Sequence, residues 1–238
     1  AHCMNLGAYS ELMNVDANKI IPLPKNISYE VAAASTLQGL TAHYLLNELW
    51  KLESQHTAVI HSAAGGVGSI LCQWARHIGA KIIAVVSSDE KAKYAFRKGA
   101  DYVINSSNVN FSDQVKKITK GKGADVIYDA VGKDTFEKGL SCLASRGRMV
   151  SYGVSSGPID PLNINLLRPL SASIACGGLL TFIKNTRERA KNSIELFNLI
   201  EKGKIIIDIN QRYKLSEVSK AHDDLSSRNT TGSSIIFP

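Results

Sequence analysis

The chain has 238 residues, 44% of them hydrophobic, and carries 28 Lys and Arg against 21 Asp and Glu for a formal net charge of +7. That leaves room for one large domain, or one domain and a partial second, at the composition of an ordinary soluble globular protein. No apolar run is long enough to span a membrane, the start shows no leader pattern, and the scattered cysteines (Cys3, Cys72, Cys142 and Cys176) form neither a C-x-x-C pair nor a disulfide framework, so a reducing, cytoplasmic setting is expected.

Residues 1–36 read as short strands and turns at 8–15 and 20–24, followed by a helix start at Ser28-Tyr29-Glu30. His43 stands in a helix-like run beside Tyr44, where packing is favoured over a proton-donor role. From Thr57 the pattern changes. Strand candidates at 57–62, 81–87, 102–105, 124–130, 147–153 and 171–177 alternate with helix candidates near 67–78, 89–98, 110–120, 133–143 and 161–167. Such alternation specifies a doubly wound parallel α/β sheet. The last of these strands, at 171–178, belongs at a sheet edge, where a second copy would cover it as a homodimer. The basic stretch at 116–122 suits the exposed end of a helix. Beyond 178 come a long helix candidate at 184–202, a β-branched strand at 204–209, a helix near 215–227 and a strand at 234–237. Both chain ends fall outside the alternating rhythm, which divides the chain into 1–36, 37–178 and 179–238, with the central domain inserted into a second lobe.

The turn Ala63-Ala64-Gly65-Gly66-Val67-Gly68 joins the first strand to the first helix of the sheet. Strand, tight glycine turn and helix together hold a dinucleotide pyrophosphate, because glycines admit the phosphates to the backbone and the helix N-terminus offers free N–H groups. Gly65, Gly66, Val67 and Gly68 are therefore cofactor-binding candidates. An acidic residue for a ribose 2′-hydroxyl is expected at the end of the second strand, but Ser87-Ser88 stand there, with Lys91 three residues on. Hydroxyls and a lysine suit a 2′-phosphate, so the cofactor is read as NADP(H). The alternative is loose specificity with Lys91 as a solvated helix charge. Gly153, Val154 and Ser155 follow the fifth strand and would border the nicotinamide side of the crevice. His61, after the first strand, is read as packing against the turn.

Specific segments then carry a resemblance: Gly7-Ala8-Tyr9, Gln38-Gly39-Leu40-Thr41-Ala42-His43-Tyr44, the glycine turn, Cys72-Gln73-Trp74-Ala75, Ser87-Ser88-Asp89-Glu90-Lys91, Tyr128-Asp129-Ala130-Val131-Gly132-Lys133-Asp134-Thr135 and Thr231-Gly232-Ser233-Ser234. In these the chain resembles the zeta-crystallin-like quinone oxidoreductases of the medium-chain dehydrogenase/reductase superfamily, from near residue 7 to the C-terminus. The resemblance implies a Rossmann domain inserted in a GroES-like catalytic lobe, here incomplete because the family's N-terminal part has no counterpart. It implies zinc-independent hydride transfer from NADPH to a quinone or activated alkene, with no metal ligands and no assigned catalytic residue. It places Thr41 and Tyr44 near the nicotinamide and Arg228 on the cofactor. The family often has Tyr where Ser106 stands, Ser at Ala130, Asn at Val154 and Arg-Pro near Gly177-Gly178; Ser106 thus counts among the cofactor-site positions. Two other readings stay open: a nucleotide-binding module without turnover, and an RNA-binding protein.

Overall fold

Six apolar segments lie side by side in one parallel sheet of order β3-β2-β1-β4-β5-β6. They are β1 (Thr57–His61), β2 (Lys81–Val86), β3 (Tyr102–Asn105), β4 (Ala124–Asp129), β5 (Leu143–Ser151) and β6 (Ser173–Cys176). The computed structural model describes Ala1 and residues 6–238, so Cys3 lies outside the described residues. β1 is buried at every position, the consequence of a strand that is apolar on both faces. Its side chains alternate between two cores: Ala58 and Ile60 join one, Val59 the other.

The first core is closed by α1 (Tyr29–Tyr44), α2 (Gly66–Ile78), α3 (Asp89–Arg97) and α7 (Thr186–Glu201), which contribute Leu40, Ile70, Leu71, Trp74, Tyr94, Leu196 and Phe197. The second is closed by α4 (Phe111–Ile118) and α5 (Phe136–Leu140) through Phe111, Val115, Phe136 and Leu140. Helices on both faces make the sheet doubly wound, as the alternation implies. α6 (Leu179–Phe182) leads from β6 towards α7. α8 (Val218–Ser226) lies between β7 (Ile209–Lys214) and β8 (Ser233–Phe237), which form a separate two-stranded parallel sheet. Among the described residues no helix is long and apolar enough to cross a membrane.

The C-terminal segment returns to the glycine turn. Gly232 N–H donates to the Ala64 carbonyl at 2.8 Å, and the buried Ser233 hydroxyl donates to the Ala34 carbonyl at 2.8 Å. α1 runs unbroken across the expected boundary at 36/37.

Four expectations are corrected. No strand forms at 8–15 or 20–24; the structure there is irregular apart from a 3₁₀ turn, Ala17–Lys19, capped by Asp16. A strand needs a neighbour for its row of N–H groups, and among the described residues Ile21 exchanges backbone bonds only with Ala1. The expected strand at 204–209 begins instead at Ile209. Its upstream part is held by Gln73, whose side-chain amide takes both the N–H and the C=O of Ile206 at 2.8 and 3.1 Å. The helix expected at 161–167 is a 3₁₀ helix, Ile164–Leu170, containing Pro169. The helix expected at 133–143 shrinks to α5, because β5 begins at Leu143 and pairs with Ala124 ahead of a register shift.

The first turn of α2 lies against the end of β1. A β-carbon built on Gly68 would sit 2.2 Å from the Ser62 carbonyl oxygen and 2.7 Å from the Ala63 Cα. Gly68→Val is therefore expected to lower unfolding free energy by about 3 kcal/mol or more, measured by urea denaturation; an unchanged midpoint would show that the contact yields at no cost.

Candidate functional site

β1 and β4 are neighbours in the sheet, but the chain after β1 turns towards one face and the chain after β4 towards the other. Their carboxyl ends open a crevice at this change of direction, where ligands of such sheets bind. Ser62, at φ +51, begins the glycine turn, and Gly65 N–H closes it on the Ser62 carbonyl at 2.9 Å. Gly65 is the N-cap of α2 and supplies no side-chain cap. The first N–H groups of α2 thus lack intrahelical and side-chain acceptors and present the positive end of the helix dipole. Gly66 tolerates little bulk: an added β-carbon would lie 3.0 Å from Gln38 Cγ and 3.3 Å from Ser233 Oγ.

A cleft of about 400 Å³ runs from this turn across the ends of β2, β3 and β4. Of the residues named from the sequence, Gly65, Ser87, Lys91, Ser106, Ser155 and Arg228 line it. Gly66, Val67 and Gly68 follow Gly65 as the first turn of α2. Ser88 is not in the lining; its hydroxyl caps α3 by accepting from Lys91 N–H at 3.3 Å. The Ser106 hydroxyl is turned to the Val86 carbonyl at 3.0 Å.

Of the positions expected near the nicotinamide, Ser155 lines the cleft and Thr41, Tyr44, Gly153 and Val154 do not. Thr41 donates to the Leu37 carbonyl within α1 at 2.8 Å. Tyr44 is buried, stacks on Phe182 with ring centroids 4.6 Å apart, and donates to the Gly177 carbonyl at 3.0 Å. Burial pushes its hydroxyl up to about 12. Gly153 presses against the Ala130 backbone, where a β-carbon would meet the carbonyl oxygen at 2.7 Å, and Val154 is exposed.

The mouth of the cleft is cationic. Lys91 Nζ donates to the Arg228 carbonyl at 2.5 Å, and Arg228 Nη2 donates to the Ser155 carbonyl at 3.2 Å. Burial, and then the Arg228 charge, hold the Lys91 ammonium below its ordinary value. Among the described residues neither cation is ion-paired with a carboxylate.

At the strand ends beside the cleft stands a pair that sequence reading did not assemble. Ile60 pairs with Tyr128 across β1 and β4, so His61 and Asp129 stand side by side at the strand ends. Both are buried, at 1% and 0% exposure, and His61 Nε2 and Asp129 Oδ2 have no hydrogen-bond partner. His61 meets Phe111 of α4 edge-on at 4.6 Å, rather than the glycine turn, and it lines the cleft. Asp129 Oδ1 accepts from Val131 N–H at 2.8 Å, Gly132 N–H at 3.3 Å and Thr135 Oγ1 at 2.9 Å. It thereby fixes the loop that carries Val131, Asp134 and Thr135 into the cleft lining. The sequence signal was an Asp ending an apolar strand three residues before a glycine, the composition of an Asx-type turn. His43 lies elsewhere, 3.1 Å from Glu195 Oε2 and edge-on to Trp74.

Among the described residues no group of three His, Cys, Asp or Glu side chains is placed to hold a metal ion. Cys72 and Cys142 are buried free thiols, both pushed up to about 12 mainly by burial, and Cys176 is exposed on β6.

Comparison with known proteins gives consistent matches. Residues 66–202 match the family described as zinc-binding dehydrogenase. The chain is 44% identical over 234 residues to the quinone oxidoreductase of Pseudomonas aeruginosa, an alignment covering 98% of this chain and 72% of that protein. It is 38% identical over 237 residues to the 2-haloacrylate reductase of a Burkholderia species, covering 98% of this chain and 71% of that one. Among solved structures it superposes on the Escherichia coli quinone oxidoreductase complexed with NADPH with a TM-score of 0.95 at 43% identity, covering 98% of this chain and 73% of that chain.

Burial pushes the His61 imidazole down to about 4, against an opposing pull from Asp129. Between pH 6.5 and 4 the unfolded chain binds a proton at this position that the folded chain refuses. Stability is therefore expected to fall as pH drops through that window, by on the order of 2 kcal/mol from this residue. His61→Gln should flatten the slope of unfolding free energy against pH there, and an unchanged slope would show that another group governs it.

Proposed function

The chain belongs to the medium-chain dehydrogenase/reductase superfamily, in the zinc-binding dehydrogenase family and among the relatives of its quinone oxidoreductases, and on that premise we propose that it is an NADP(H)-dependent, zinc-independent oxidoreductase that passes hydride to a quinone or an activated alkene. The observation that carries the reading is the pair of cations, Lys91 and Arg228, at the mouth of a cleft that begins on a helix N-terminus. Two positive charges are juxtaposed without a carboxylate, and a phosphate ester would relieve their repulsion. The glycine turn fits the group equally well, since its N-cap Gly65 leaves the first N–H groups of α2 without a side-chain cap.

When bound, the nicotinamide supplies the hydride chemistry, and the protein's part is binding and orientation. The first turn of α2, at Gly66, Val67 and Gly68, holds the pyrophosphate between Gly65 and Ser87. Ser87, Lys91 and Arg228 form the region for the 2′-phosphate, with the Ser88 hydroxyl committed to capping α3. Ser106 and Asp129, the latter through its loop, shape the adenosine half. Thr41, Tyr44, Gly153, Val154 and Ser155 form the nicotinamide side, with Tyr44 as a packed wall because its hydroxyl is committed to Gly177. A quinone accepts hydride readily, so no strong protein acid is required, and none of the described groups is assigned that role. The named activities of the relatives, quinone oxidoreductase and 2-haloacrylate reductase, both involve electron-poor acceptors. Scattered free thiols, with Cys72 and Cys142 buried and Cys176 exposed, support the zinc-independent reading and a reducing, cytoplasmic setting.

One observation favours a second reading, nucleotide binding without turnover: of the five nicotinamide-side positions only Ser155 lines the cleft. Titration and turnover separate the two. NADPH is expected to bind about tenfold to hundredfold more tightly than NADH, the value of one charge-assisted contact, and to be oxidised on addition of p-benzoquinone. Tight NADPH binding without oxidation would select the second reading; equal affinity for both nucleotides would remove the 2′-phosphate assignment.

β6 forms one end of the sheet, so its outer row of backbone groups is open, and we propose that a second copy covers it. Sedimentation at micromolar concentration is expected to give a dimer that Ile174→Pro weakens. A monomer for the unmodified chain would exclude this interface.

A further inference from the structure

β3 forms the other end of the sheet, opposite β6. Its outward row of backbone groups meets no neighbouring strand, the arrangement that accepts an added strand. A shallow groove follows this edge, bordered by Ala92, Lys93, Phe96 and Arg97 of α3 and by Tyr102 and Val103 of β3. Two large side chains stand open along it: Phe96 is 64% exposed and Tyr102 40%. Val103 packs with the first core and Ile104 with the second, so strand alternation puts Tyr102 on the face opposite α3. A strand laid along β3 would therefore rest alternate side chains on Phe96 and on Tyr102. The groove shares no lining residue with the nucleotide cleft.

The free charge around the groove is of one sign. The carboxylate of Asp101 in its lining is already engaged, one oxygen by Arg76 at 3.5 Å and the other by Ile82 N–H at 2.8 Å. Lys93 and Arg97 extend from α3, and Lys81 Nζ lies over the Tyr102 ring, 4.8 Å from its centroid. Among the described residues none of these three cations is ion-paired with a carboxylate.

We propose that this edge binds an acidic, extended segment of another polypeptide, which pairs with β3 and sets carboxylates against Lys81, Lys93 and Arg97. An open strand edge presents both donors and acceptors, and a peptide backbone answers both, whereas a phosphodiester chain offers acceptors only. Phe96 and Tyr102 lie on opposite faces of the edge and form no common platform for stacked bases. A second copy of this chain would bring the same three cations to the interface from both sides, where like charges repel.

The test uses the full chain and short fluorescein-labelled peptides. A peptide alternating glutamate with valine is expected to bind, read by fluorescence anisotropy, and to slow amide hydrogen exchange across Tyr102–Asn105. Reversing the two α3 charges, Lys93→Glu with Arg97→Glu, is expected to weaken binding about tenfold or more. Phe96→Ser, which leaves the charge as it is, should weaken it as well, with NADPH titration reporting that each variant is folded. Equal binding of a lysine–valine peptide would reduce the groove to unselective apolar surface. Binding of single-stranded oligouridylate in place of the acidic peptide would assign it to nucleic acid. Self-association that Phe96→Ser abolishes in sedimentation would assign it to a second copy. Each of these overturns the proposal, as does the absence of peptide binding or binding that leaves exchange at β3 unaltered.

Discussion

The first turn of α2 rests directly on the end of β1, and the geometry of the site follows from that contact. Only hydrogen at Gly68 lets the helix backbone lie against Ser62 and Ala63, where a β-carbon would fall 2.2 Å from the Ser62 oxygen. The contact directs the axis of α2, and so the positive end of its dipole, at the crevice between β1 and β4. It also leaves the first N–H groups of α2 unshielded by any side-chain cap. An anion-binding site is thus a by-product of packing a helix tightly on a buried parallel strand.

The C-terminal lobe is built onto the same turn. Gly232 pairs with Gly65, its N–H bonds to Ala64, and Ser233 reaches the Ala34 carbonyl of α1. Gln73 of α2 holds Ile206 through both backbone groups, and Lys98 ion-pairs with Asp208 at 2.8 Å with its side chain 8% exposed. These bonds deliver the end of α8, with Arg228, to the mouth of the cleft. The lobe therefore contributes to the lining of the same cleft, although it lies more than a hundred residues away in sequence.

Charge is distributed along the cleft according to burial. Its mouth holds Lys91 and Arg228, half-buried and exposed, where water still screens them and an incoming phosphate can exchange for it. Buried His61 also lines the cleft, with buried Asp129 beside it. There burial keeps the imidazole neutral, while backbone N–H groups and a hydroxyl meet one oxygen of the carboxylate. Attraction is thus concentrated where a ligand arrives, and this buried part is rigid instead: Asp129 organises the loop through Thr135, and Phe111 abuts His61.

The sequence alone determined the doubly wound sheet, the places of its six strands (the fifth begins four residues earlier than expected, at Leu143), and the glycine turn, because these depend on local periodicity and on glycines that no side chain can replace. It identified Ser87 and Lys91 by residue type and Arg228 through the family resemblance, and all three line the cleft. Tertiary structure decided what each polar atom is bonded to. It committed the Ser88 hydroxyl to capping α3, the Tyr44 hydroxyl to Gly177 and Ile206 to Gln73, and it brought His61 beside Asp129 and Lys91 beside Arg228. The physical reason is that hydrophobic periodicity is a property of neighbouring residues, whereas the partner of a hydrogen bond is set by chain segments that meet only after the sheet has formed.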